Sequence, residues 1–130
     1  MKITQDLLDD LTKQAKASPR LRMNYDLRNS DTDNSQRMLN AIEPGSPIPI
    51  HRHTKSTETL VCLRGRIIED YYNESGCIES IELSPNGPVV ALNIPKMQWH
   101  SLRVLESGTV IMEIKDGLYE PLDPEDILNL

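Results

Sequence analysis

The sequence contains no phenylalanine, one tryptophan and four tyrosines in 130 residues, which excludes an aromatic core. Any core must be built mainly from Leu, Ile and Val, and β-branched residues favour strands. Cysteine is nearly as scarce. Cys62 and Cys77 form no CxxC pair, and both are read as reduced thiols, Cys62 as a small core residue and Cys77 beside the turn at Ser75 and Gly76. No apolar run approaches the length of a membrane span. Met1-Lys2-Ile3-Thr4 turns polar at once, unlike a signal peptide, so a cytoplasmic location is expected. Positive charge is in deficit, with 14 Lys and Arg against 20 Asp and Glu, a formal net charge of −6. That balance argues against nucleic acid and against a polybasic membrane surface. Arg20 and Arg22 lie close together but make no stripe. Repeats and low-complexity tracts are absent.

What remains is a chain of one-domain length with an ordinary charged fraction. Ile3, Leu7, Leu8, Leu11 and Ala15 recur at helical spacing, with Thr4 as N-cap and Pro19 as terminator, so a helix is expected over Gln5 to Ala17. Asn24 to Asn34 is polar and reads as an irregular arm. From Gln36 the texture changes to short strands, expected at Gln36–Ile42, Ile50–His53, Glu58–Leu63, Arg66–Tyr72, Ile78–Leu83, Val89–Ile94, Trp99–Leu105 and Val110–Lys115. Turn residues separate them, as at Pro44-Gly45, Arg64-Gly65 and Pro85-Asn86-Gly87. Regular short strands without intervening helices predict an all-β sandwich or barrel. The expected division is one domain over 1–130, with a helix over 1–19, a β-barrel over 36–116 and a tail over 117–130. Asp123-Pro124 suggests a short helix within that tail.

The three histidines carry the chemistry. His51 and His53 are two apart, so on a strand both project from one face. Glu58 follows at the entry to the next strand, and His100 lies on a later one beside Trp99. Such a mixed nitrogen and oxygen set can surround one divalent cation and suits zinc, iron, manganese or nickel better than calcium or magnesium. An HxH pair by itself also arises in packed or exposed strands.

The longer pattern is more specific. Gly45-x5-His51-x-His53-x4-Glu58-x6-Gly65 resembles the first motif of the cupin superfamily at every fixed position. Pro95 and His100 resemble the second motif, Pro-x-Gly-x2-His-x3-Asn, with Met97 in place of its Gly and Val104 in place of its Asn. The resemblance implies a double-stranded β-helix, the cupin jelly roll, with a metal held by His51, His53, Glu58 and His100. A closer resemblance runs through Arg20 to Asn24, Gln36 to Ala41, His51-Arg52-His53 and Glu113 to Pro121. There the chain is similar to the WbuC family of small cupin metalloproteins, associated with bacterial surface-polysaccharide gene clusters. Leu118 stands where that family commonly has Pro.

Strand parity nominates further residues. Gln98 shares a face with His100, Leu102 and Val104, so it points either into the cavity or to its rim. Arg37 and Glu113 are read either as cavity-mouth residues, with Arg37 gripping a carboxylate or phosphate, or as outward strand charges. Arg52 points away from the metal and is expected in a structural ion pair. Tyr71, Tyr72 and Tyr119 are available phenols, none singled out.

Two functions compete. One is an enzyme acting on a sugar or nucleotide-sugar, by isomerisation, epimerisation or dioxygenase chemistry. The other is a metal-dependent binding module for a small carbohydrate. A cavity lined only by Leu60, Leu102 and Val104 would favour binding or oxygen chemistry on an apolar ligand; a polar one would favour acid–base work. A homodimer formed through sheet edges is expected, and a mass measurement in solution tests it.

Overall fold

The computed structural model describes residues 1–130. Helix α1 spans Gln5–Ala17, with the Thr4 side chain accepting a hydrogen bond from the Leu7 amide at 3.2 Å. Asp6 in its first turn and Lys16 in its last complement the helix dipole. Its buried stripe of Leu8, Leu11 and Ala15 packs on Leu39, Ala41 and Val110. No helix is long and apolar enough to cross a membrane.

Ten strands follow: β1 Arg22–Asp26, β2 Ser35–Ile42, β3 Ile50–His51, β4 Glu58–Arg64, β5 Ile67–Asn73, β6 Gly76–Leu83, β7 Ala91–Ile94, β8 Trp99–Val104, β9 Thr109–Asp116 and β10 Ile127–Leu128. They form two five-stranded sheets in the orders β1-β2-β9-β4-β7 and β10-β3-β8-β5-β6. Every pairing is antiparallel. This is the all-β jelly roll with one N-terminal helix.

Two details differ from expectation. The polar arm begins as a strand, because β1 pairs along β2 from Arg22 opposite Ile42 to Asp26 opposite Met38. Its exposed residues carry little hydrophobic signal, since an edge strand is held by backbone bonds rather than burial. β3 ends at His51, so His53 lies beyond the strand. The short helix at the tail is a single 3-10 turn over Pro124–Asp126.

The inner face of the first sheet changes character along its strands. Cys62, Ile111 and Asn40 lie side by side across β4, β9 and β2, and Glu58, Lys115 and Gln36 do so further on. The apolar end closes on Ile42, Leu60, Ile67, Leu83, Ile94 and Ile111, all buried. Each such side chain contributes about 1.5–3 kcal/mol. The polar end cannot pack dry and leaves a cavity of about 440 Å³.

Candidate metal centre and cavity

His51 and His100 face each other directly across β3 and β8, and their ring centroids lie 4.3 Å apart. His53 reaches the same point from beyond β3, with centroids 5.1 Å from His51 and 5.7 Å from His100. The turn at Met97 holds it there, since the Met97 amide donates to the His53 carbonyl at 2.9 Å. Met97 has φ 71°, so it keeps the left-handed backbone that the motif's glycine supplies. One ligating atom from each histidine lies within 4.8 Å of the others.

The far side of each ring matters as much. His51 Nδ1 lies 2.9 Å from the Pro49 carbonyl and donates to it, which leaves the Nε2 lone pair free. His100 Nδ1 lies 2.7 Å from Glu69 Oε1, and both side chains are almost wholly buried. His100 Nε2 and His53 Nε2 are buried and make no well-formed hydrogen bond. Glu58 Oε1 sits 3.1 Å from His53 Nε2.

Buried nitrogens with unshared lone pairs are costly unless something fills the space between them. Three imidazoles turned toward a common point, with the Glu58 carboxylate against one of them, fit a divalent transition metal. His51, His53, His100 and Glu58 would hold it. Glu69 was not foreseen. It orients His100 from behind, the arrangement by which a carboxylate fixes the tautomer of a ligating imidazole.

Electrostatics support neutral imidazoles at His51 and His100. Burial pushes His100 down to about 3 and also lowers His51. Burial would raise Glu58, but its hydrogen-bond contact with His53, then its electrostatic interaction with His100 and Lys115, outweigh it and hold the carboxyl below its ordinary range, at about 2. Glu69 is pushed up to about 10, by burial first and then by the charges of Glu58, Glu113 and Asp70. A dication at His100 Nε2 would favour the ionised Glu69 that accepts from Nδ1.

Around this point the cavity is polar, with 6 hydrophobic residues among the 28 that line it. Glu113 lines it beside Met38 and Leu60. Burial, then the charge of Glu58, raises its carboxyl to about 7. Gln36, Asn40 and Lys115 also line the wall, as do Arg20, Arg22, Leu102 and Tyr119. Sequence reasoning missed Gln36, Asn40 and Lys115. The alternation Gln36, Met38, Asn40 along β2 was the available signal.

The same alternation turns Arg37 away. Its guanidinium donates to the Ser35 and Leu27 carbonyls and pairs with Asp33 at 3.2 Å, tying down the arm instead of meeting the cavity. Gln98 precedes β8, so strand parity does not govern it. Its amide donates to the carbonyls of Tyr72 and Trp99 and it does not line the cavity. Arg52 pairs with Asp126 at 3.0 Å and lies 4.3 Å over the Trp99 ring. Leu60 is sealed in the core, Tyr71 packs against that core, and Tyr72 lies outside the cavity. Both cysteines are free.

The sequence profile of a family described as a domain of unknown function, DUF6016, matches residues 3–83. The chain belongs to this family. No curated protein matches the DUF6016 chain in sequence. Its fold is shared by KdgF from a Halomonas species, at TM-score 0.61 and 14% identity over 78% of this chain and 84% of that one. A putative sugar phosphate isomerase from Acidithiobacillus ferrooxidans follows at TM-score 0.56 and 21% identity, over 75% of this chain and 60% of that one. Bacillus subtilis oxalate decarboxylase, described with Mn(II) centres, aligns at TM-score 0.58 and 17% identity, over 84% of this chain but 28% of its own. These likenesses show the cupin fold for this chain.

Proposed function

We propose that this protein is a cupin metalloenzyme of the WbuC type, holding one divalent transition metal at His51, His53, Glu58 and His100 and acting on a sugar or nucleotide-sugar in surface-polysaccharide metabolism. The observation that carries the reading is the convergence of three imidazoles, those of His51 and His100 with their outer nitrogens turned to Pro49 and Glu69, in a polar cavity. A metal there supplies a Lewis acid toward a ligand oxygen.

The chain's own residues supply the rest. Glu69 holds the His100 ring. Glu113, a buried carboxyl in the cavity wall raised above the usual carboxylate range by burial and by the charge of Glu58, is the group placed to exchange a proton with a ligand hydroxyl. The polar lining favours such work over the binding module or oxygen chemistry that an apolar cavity would suit. The fold shared with a putative sugar phosphate isomerase is consistent with a carbohydrate ligand.

Elemental mass spectrometry on untagged protein tests the metal. About one equivalent of zinc, iron, manganese or nickel, absent from His100→Ala, is expected. No metal after purification and none after reconstitution would overturn the reading.

A further inference from the structure

The cavity has an unexplained charge pattern. Of the cations lining it, Arg52 is paired with Asp126 and Lys55 with Glu120, but Arg20, Arg22 and Lys115 have no acidic partner within ion-pair reach. In a chain of net charge −6, three unpaired cations gathered round one cavity call for an explanation. Lys115 lies beside Glu58 across β4 and β9. Arg22 lies on β1 at the opposite end of β2 from Gln36, and its guanidinium is committed only through one contact, Nη1 to the Pro47 carbonyl at 3.1 Å. Glu113, on β9 two positions before Lys115, lines the same cavity and is influenced by the charges of both Lys115 and Arg22.

The segment that presents the arginines is also braced. Leu21, between them, has φ 56°, a conformation that side chains other than glycine rarely adopt. It persists because the Leu21 carbonyl accepts from the Glu43 amide at 2.8 Å and the Arg20 carbonyl accepts from Ser46 Oγ at 2.7 Å. Strain of this kind, over-determined by its surroundings, is characteristic of ligand clamps. An independent sign comes from Asn40. Its side chain lines the cavity, is 7% exposed, and leaves Oδ1 without a partner. A buried acceptor facing a cavity needs a donor, and a ligand hydroxyl is one.

We infer that the wall made by β1, β2 and β9 is an anion subsite, in which Arg22, Lys115 and Arg20 grip a carboxylate or phosphate while Asn40 takes a hydroxyl of the same molecule. The substrate class is therefore an anionic sugar, a sugar acid or a sugar phosphate. This deepens the proposed function and rests on its reading of the cavity as the substrate site.

Calorimetric titration of the metal-loaded and metal-stripped protein tests it, with D-glucuronate, D-glucose 6-phosphate and D-glucose as probes. At least one anionic probe should bind about tenfold or more tighter than glucose, and more weakly as salt is raised. Which of the two binds identifies the anion as carboxylate or phosphate. Arg22→Gln and Lys115→Met should each weaken that probe about tenfold with the metal content unchanged, whereas Lys115→Arg should retain it. Arg20→Gln, at an exposed position, should weaken it less and cannot be explained by misfolding. Equal affinity for glucose, no binding of either anion, or affinity untouched by these substitutions would overturn the subsite while leaving the metal reading standing. Tight anion binding to a protein that takes up no metal would do the reverse.

Discussion

At the scale of single residues, the contact between Glu69 and His100 makes the sharpest claim. Replacing Glu69 by Gln keeps the shape but removes the carboxylate that fixes the ring, and should weaken metal binding 10–100-fold in a competition with a chelator. The same residue sets a pH dependence. In the metal-free fold Glu69 holds a proton up to about 10, whereas the unfolded chain releases it near 4.5. Its contribution is complete below the lower value and is lost as pH rises toward the upper one. Melting temperature of the metal-free protein should therefore fall from neutral pH toward pH 10, and Glu69→Gln should flatten that slope. The histidines were legible because HxH and the flanking glycines form a fixed pattern. Glu69 was not, because Glu69-Asp70 in a strand reads as a pair of surface charges. Only parity with the core residue Ile67 marks it as inward, and Asp70, the outward neighbour, is itself buried under Arg103.

At the scale of elements, the turns decide the geometry. Gly65 ends β4 with φ 80°, and a methyl group there would come within 2.7 Å of the Thr109 backbone Cα. Gly108 has a similar φ of 85° but open space around it. Gly65→Ala should cost more than ~2 kcal/mol in urea unfolding and Gly108→Ala about 1 kcal/mol, because only the first adds a clash to the backbone strain. Helix α1 was readable to its ends, because the apolar stripe, the Thr4 cap and Pro19 agree. β1 was not, because hydrophobic patterning is blind to an edge strand whose side chains meet water. The short extent of β3 was hidden for a related reason: His53 keeps its place through the Met97 turn, an interaction from more than forty positions away.

At the scale of the whole molecule, the four proposed ligands come from both sheets. His51 and His100 belong to the second sheet, His53 to the loop after β3, and Glu58 to the first. A bound metal would tie the sheets together and favour the folded state by mass action. Adding a chelator to the metal-loaded protein should lower its melting temperature by several degrees, and re-adding the metal should restore it. His100→Ala should show neither response. The jelly roll was legible as a class because its strands are short, evenly spaced and unbroken by helices, and the cupin motifs made it specific. The cavity's unpaired cations were not, since Lys115 is far from Arg20 and Arg22 in sequence and lines the same cavity only when β1, β2 and β9 lie side by side.

That adjacency has a kinetic side. β9 is inserted between β2 and β4, with Ser35 paired to Asp116 and Glu58 to Lys115, so the first sheet has no continuous form until a strand from late in the chain arrives. Contacts this remote close slowly, in milliseconds to seconds. Until then β2 and β4 stand with open edges, while β5, β6 and β8, which carry Glu69 and His100, can already pair. The strands that carry the proposed ligands can therefore pair within β5–β8 and β4–β7 before β9 joins the first sheet into one. A mutation that delays β9 should leave both halves formed but the barrel open, a state readable as a slow refolding phase.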